Sequence, residues 1–378
     1  MKKYTGFIVA GAALLFTAVI TFFAKRYGDL LDAFYPYMSR LIQQVLAAVS
    51  SLFPFTLWQA IVVALVFLCL LSLVFLFIRK RSFLQWLGWW LAIVSLLWTF
   101  HTGIHGLNFY ASSLAEDMHL PLKKITQEEL EQATIYFRDK ANALAETLPR
   151  DEEGNLLYDD FDTLAKNAGK GYKSLVQEGY SVFAGSTLPV KKLGWKKMYT
   201  SMGICGVTMA VTGEAAVNPD IPNMSIPFVM CHEMAHRMAI ASEDDANFAA
   251  FLSCQISDDP QFQYSAYYMA YRYCYNALGG SAAAEINSGV NELFRRDLKF
   301  YDDFFNRNKS QTATNVANKV NDTYIQVSGD SQGVKSYGLV ATQLANWYLQ
   351  ETAQPEQDSR FDPTDKDYIN GLIGENNG

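Results

Sequence analysis

The sequence predicts a mainly α protein in two parts: three N-terminal transmembrane helices, then a helical domain carrying a small β element. Three observations predict it. Uncharged apolar runs occupy residues 5–24, 56–78 and 84–105. From about residue 126 onward, apolar residues recur at helical spacing. The exception is 203–217, rich in glycine and β-branched residues and without a helical stripe. Composition agrees: hydrophobic residues make up 50% of the 378 and charged residues only 18%, a charge-poor balance for a soluble chain of this size. The formal net charge is −7 and no segment interleaves basic with aromatic residues, so nucleic acid is not an expected partner.

The first apolar run follows Lys2 and Lys3, and no small-x-small cleavage site precedes Lys25 and Arg26. It reads as an uncleaved membrane helix and not as a secretory signal. The second run is long enough for a hydrocarbon core of about 30 Å. The third carries Trp86, Trp89, Trp90 and Trp98, and tryptophans near span ends suit the membrane interface. Arg79, Lys80 and Arg81 lie in the link between the second and third runs. With Lys2 and Lys3 they place the N-terminus and that link in the cytoplasm, and everything after about residue 106 outside it, in a multi-pass protein of the cell membrane. Lys25, Arg26 and Arg40 pull the other way. The loop segment 33–52 is amphipathic and is expected along the membrane surface. His101 and His105 are four residues apart, but Thr102 stands where a catalytic base would be, and they read as interfacial histidines. The expected organisation is a membrane anchor over 1–106, a catalytic domain over 107–353 and a polar tail over 354–378.

Within the domain, Thr126 and Glu129 form a capping box for a helix of about twenty residues. A second helix is expected over 160–180. Lys191, Lys192, Lys196 and Lys197 surround Trp195 as a solvated basic patch. Short strands are expected between Met202 and Val217, followed by a turn through Asn218–Asn223. Ser225 is the expected cap of the next helix, with Pro227 in its first turn. Further helices are expected over 243–256, 260–277, 282–306, 311–328 and 332–352. The five cysteines show no CxxC spacing and make no disulfide framework, though a pair such as Cys254 and Cys274 stays open.

The chemistry concentrates in Cys231-His232-Glu233-Met234-Ala235-His236. On a helix, His232 and His236 share a face about 6 Å apart along the axis, so both imidazoles can reach one metal ion. Glu233 lies about 100° round the helix, able to reach a water on that metal but badly placed to bind it. In a chain with only five histidines, this pattern arises by chance roughly three times per thousand such chains, and it is the spacing of zinc peptidases. The bland alternative is a buried helix with two hydrogen-bonded histidines.

A catalytic zinc needs three protein ligands and one open position. No histidine follows residue 236, so a carboxylate must serve. Glu243 is the first candidate, with Asp244 and Asp245 behind it and Glu214 weaker still. Ser242 is expected to cap the helix that carries them. Glu233 is the expected general base, and Tyr337 or Tyr324 a possible oxyanion donor. An extended peptide could pair with the strand near Thr212–Val217.

Glu243-Asp244-Asp245-Ala246-Asn247 resembles the Glu-x-x-Ala-Asp helix of glutamate-type zincins, with Asn247 where their imidazole-orienting Asp stands. An uncharged Asn would make the ligand histidine less basic. Thr212-Gly213-Glu214-Ala215, Ile226-Pro227-Phe228, the His-Glu-x-x-His segment, Ser242–Phe248, Val320-Asn321-Asp322, Tyr324 and Gly333–Gly338 together resemble a bacterial membrane-protein family catalogued as domain of unknown function 3810. The resemblance spans nearly the whole chain. It implies a zincin-like helical domain and a membrane-anchored zinc metallopeptidase, with Zn2+ as cofactor, a peptide or protein as substrate and the lipid bilayer as partner.

Overall fold

The structure is a computed structural model. It describes residues 3–328 and 337–353, so the expected tail over 354–378 and the segment 329–336 lie outside the described residues. The chain opens with α1 (Thr5–Arg26), α2 (Gly28–Asp32), α3 (Tyr35–Ser51), α4 (Leu57–Ile78) and α5 (Phe83–Ile104). Helices α1, α4 and α5 have 22 residues each and are long and apolar enough to cross a membrane. All three sequence-derived spans are therefore helices, within a few residues of their expected ends.

Helix α1 lies along α5 through small side chains. Gly6, Ala10, Ala13 and Thr17 are buried on one helix, Gly88, Ala92 and Ser95 on the other. A Cβ on Gly6 would stand 2.4 Å from the Gly88 carbonyl carbon. Close approach of this kind lets helices associate where lipid supplies no hydrophobic drive. The Thr17 and Thr99 hydroxyls add a hydrogen bond of 2.8 Å.

Helix α3, the amphipathic segment, packs one face against the rest of the chain. Its buried face is Tyr35, Ser39, Gln43, Ala47 and Ser50, too polar to lie unpaired against lipid. Instead, Ser39 Oγ donates to Ile104 O at 2.7 Å and Gln43 Nε2 to Ala210 O at 3.1 Å. The helix is a joint between the anchor and the domain.

The domain then runs through α6 (Leu114–Asp117), α7 (Gln127–Thr147), α8 (Phe161–Asn167), α9 (Gly169–Gln177), β1 (Lys191–Lys192), α10 (Lys196–Met202), β2 (Gly206–Met209) and β3 (Glu214–Val217). It continues with α11 (Ile226–Arg237), α12 (Glu243–Gln255), α13 (Pro260–Ala277), α14 (Gly280–Ser288), α15 (Glu292–Asn308), α16 (Gln311–Ser328) and α17 (Tyr337–Ala353). The Thr126–Glu129 capping box is formed. The single helix expected over 160–180 breaks at Ala168 into α8 and α9. The one expected over 282–306 breaks before Asn291, whose side chain accepts from Phe294 N at 2.8 Å and starts α15 afresh.

Helices α7, α11, α12, α13 and α17 enclose the core, where Phe137, Phe251 and Trp347 meet. The tyrosine-rich α13 turns Tyr264, Tyr268 and Tyr271 inward. Tyr264 OH donates to Asp297, which also receives Arg150 in a two-pronged ion pair. All five cysteines are free, Cys254 and Cys274 included.

The sheet order is β1-β3-β2, with β1 parallel and β2 antiparallel to β3. The strand expected to pair with a peptide, β3, is thus central and paired on both sides; β1 and β2 hold the two edges. Glu214 on β3 is 2% exposed. Its carboxylate accepts from the Leu57 and Trp58 amides at 2.8 Å each and from Lys191 Nζ at 2.7 Å. The start of membrane helix α4 is therefore capped by a strand of the domain, because first-turn amides lack helical partners and attract negative charge. Lys191, expected in a solvated patch, is drawn inward by that carboxylate.

Candidate metal centre

Helix α11 carries the His-Glu-x-x-His segment. Ser225 does not cap it through its side chain: a 3-10 turn, Asn223–Ser225, leads in, and Ser225 Oγ donates to Pro222 O instead. Pro227 sits in the first turn as expected. The helix ends at Arg237, and Ala239 takes φ +73°, a left-handed conformation costing a residue with a Cβ about 1–2 kcal/mol. That reversal brings α12 back within six residues, as the spacing demands. Ser242 caps α12 by accepting from Asp245 N at 3.5 Å.

The two helices bring three ligand atoms together. His232 Nε2 and His236 Nε2 are 3.1 Å apart. Glu243 Oε2 is 3.4 Å from the first and 3.8 Å from the second. Ligands about 2.0–2.1 Å from a tetrahedral zinc stand about 3.3 Å from one another, so the three separations suit one such ion. His236 Nδ1 lies 2.8 Å from Ile240 O. That carbonyl can only accept, so Nδ1 carries a hydrogen, and in the neutral imidazole Nε2 would be free to face a metal. The Glu243 side chain is 41% exposed, which opens the centre on its side.

The three groups are also coupled by charge. Burial lowers the His236 pKa, but the hydrogen bond and charge of Glu243 outweigh it and lift the imidazole to about 9. Partial burial likewise resists ionisation of Glu243, yet His232 and His236 hold its carboxyl well below the usual range.

Glu233 is 5% exposed and stands beside these groups without joining them. Burial pushes its pKa up, against the pull of His232, His236 and Thr208. Thr208 Oγ1 donates to Glu233 Oε2 at 2.7 Å. Gly206 leaves the carboxylate its room, since a Cβ there would lie 2.3 Å from Glu233 Oε1. Both residues are on β2, and nothing in the glycine-rich stretch singled them out beforehand.

The chain matches the family model described as "Protein of unknown function (DUF3810)" over residues 32–344. It belongs to the DUF3810 family. No curated protein and no solved structure matches it.

The other candidates in this DUF3810 protein fall as follows. Asp245 is occupied away from the centre: it accepts from Leu114 N at 3.2 Å and Gln343 Nε2 at 2.6 Å. Asp244 is buried on the same turn, outside the ligand group. Glu214 is committed to α4 and Lys191. Asn247 Oδ1 accepts from Tyr273 OH at 3.0 Å, so its amide oxygen serves a tyrosine. Tyr324 is carried to the end of α5, its hydroxyl 3.0 Å from His101 Nε2. Tyr337 opens α17, and its side chain lies outside the described residues. Among the described residues, His232, His236 and Glu243 form the single group spaced to hold a metal; His101 and His105 form none.

Proposed function

We propose that this DUF3810 protein is a membrane-anchored zinc-dependent peptidase with a zincin-like domain. The observation that carries the reading is the convergence of two imidazoles and one carboxylate at zinc-ligand spacing, beside a buried carboxylate that is not a ligand. Zn2+ held by His232, His236 and Glu243 would supply a water acidic enough to ionise near neutral pH and a Lewis acid for the substrate carbonyl. Glu233 takes the proton from the attacking water and passes it to the leaving amine nitrogen. Its raised affinity for protons suits that shuttle, and Thr208 keeps the carboxylate aimed. The outer edge of β2 borders Glu233 and offers unpaired backbone groups to an extended peptide.

The anchor sets where this happens. Glu214 ties the sheet to the start of α4, and α3 ties it to the end of α5, so in a bilayer the centre would sit at the face where those two ends emerge. Lys2, Lys3 and Arg79–Arg81 favour the cytoplasm for the opposite face, which supports an extracytoplasmic centre.

The test is metal analysis and peptide cleavage by the detergent-solubilised full chain. About one zinc per chain is expected, lost in His232→Ala. Glu233→Gln should keep the zinc and stop hydrolysis of a peptide mixture. Full hydrolysis by Glu233→Gln would remove the general base from the scheme.

A further inference from the structure

Helix α3 is inverted relative to a helix on a soluble surface. Its buried face is polar, while Tyr37, Leu41, Val45, Val49 and Leu52 recur at helical spacing on the other side, 49–79% exposed. A soluble helix turns such a stripe to the core. Here the inward face is tied to the end of membrane helix α5 through Ser39, and lipid is the medium that covers the stripe. Helix α3 therefore lies along the bilayer surface with its apolar face immersed.

A cavity of about 420 Å³ opens beside the start of this helix, within the range of about 300–1,000 Å³ usual for ligand sites. Pro36 and Arg40 of α3 form one wall; Asn108 and Phe109, just beyond α5, form another. Both walls follow closely on the ends of α1 and α5, which puts the cavity at the level of the lipid headgroups. The reversal between α11 and α12, Met238 to Ser242, is the third wall. Its Ile240 carbonyl lies against His236 Nδ1, the ring nitrogen turned away from the ligand group. The cavity is thus a separate site behind the metal centre. Its rim is open, since Ser112, Asp117, Leu122 and Leu339 are exposed.

Two opposite charges line this space without closing on each other. Arg40 Nη1 donates to Ser181 O at 2.9 Å. Among the described residues the Asp117 carboxylate has no hydrogen bond and forms no ion pair with Arg40, although their charges interact. Asp245 also lines the cavity, already engaged by Leu114 N and Gln343 Nε2. One cation against two carboxylates disfavours a purely anionic ligand. A ligand with both signs fits: a guanidinium grips phosphate oxygens through paired N–H donors, and a carboxylate accepts from an ammonium.

We propose that this cavity binds the headgroup of an ethanolamine phospholipid, its phosphate on Arg40 and its ammonium on Asp117, with Leu122 and Leu339 at the rim beside the glycerol end. A choline headgroup has no N–H to give Asp117, and a glycerol headgroup leaves that carboxylate facing uncompensated phosphate charge. The site stands whether or not the metal centre cuts peptides.

The experiment is native mass spectrometry of the detergent-solubilised full chain, titrated with phosphatidylethanolamine, phosphatidylcholine and phosphatidylglycerol of identical acyl chains. The ethanolamine lipid should bind about tenfold more tightly than either other, the scale of one charged hydrogen bond. Asp117→Asn should abolish that preference, and Asp117→Lys should transfer it to phosphatidylglycerol. Arg40→Gln should weaken all three lipids; if it does not fold, the two Asp117 variants carry the test. Equal binding of the three lipids by the wild type would overturn the proposal, as would a preference for phosphatidylglycerol or an ethanolamine preference that survives Asp117→Asn. Soluble glycerophosphoethanolamine is the last arm. Failure to displace the lipid at equal concentration supports a membrane ligand; full displacement would give the site to a soluble zwitterion and overturn the lipid assignment.

Discussion

Replacing Glu214 by glutamine tests whether the anchor and the metal centre form one cooperative unit. The carboxylate is buried and receives two amides of α4 and the ammonium of Lys191. Glutamine keeps the shape but loses the charge, and one arm of its amide then faces a donor with a donor. Breaking a buried ion pair from one side costs about 3–5 kcal/mol. Lys191 retains the Ser50 and Phe55 carbonyls at 2.7 and 2.9 Å, which moves the expectation to the lower end, about 3 kcal/mol. Pulse proteolysis across a urea series, on the full chain in detergent, reads the change. With a slope of about 3 kcal/mol per molar, the midpoint should fall by about 1 M. Adding Lys191→Met removes the orphaned cation, so the double variant should be more stable than the sum of its single changes by at least about 1.5 kcal/mol. A Glu214→Gln midpoint equal to wild type would mean that the sheet does not depend on α4, and the cooperative picture would be wrong.

Other outcomes follow from single contacts. Gly206→Ala places a methyl 2.3 Å from Glu233 Oε1; zinc content should hold while kcat falls about 10²-fold, the scale of a 1 Å misplacement of a catalytic group. Gly88→Val should separate α1 from α5 and expose the α1–α2 junction to protease, since a Cβ there already lies 2.9 Å from the Phe7 ring. Asp117 has its pKa raised to about 6, by burial first and then by Asp32, with Arg40 opposing. A carboxyl raised in the folded state costs nothing below its unfolded pKa and the most above its folded one. Asp117→Asn should therefore stabilise the protein at pH 7, and the gain should vanish as pH falls from about 6 to 4. Because this side chain is substantially exposed, the gain should be only about 1 kcal/mol, read as a small rise in Tm at pH 7 against pH 4.

The sequence alone determined the parts whose signal is local. Apolar runs of about twenty residues can only be satisfied as helices in lipid, so the three spans were legible. His232 and His236 share a helix face by periodicity, and Glu243 follows so closely that one reversal returns it to the same point. The helix breaks at Ala168 and Asn291 were missed because helical spacing persists on both sides of each.

Only the tertiary structure decided what depends on distant segments meeting. It took Asp245 out of the ligand set by giving it Leu114 N and Gln343, more than 90 residues away in each direction. It put β3 in the middle of the sheet and left β1 and β2 as its edges. It made α3 a joint between anchor and domain, and turned Glu214 from a spare ligand into the cap of α4. Periodicity reports which face of an element is buried. It cannot report what that face is buried against, because the partner of a buried polar group is fixed by long-range packing and not by its neighbours in the chain.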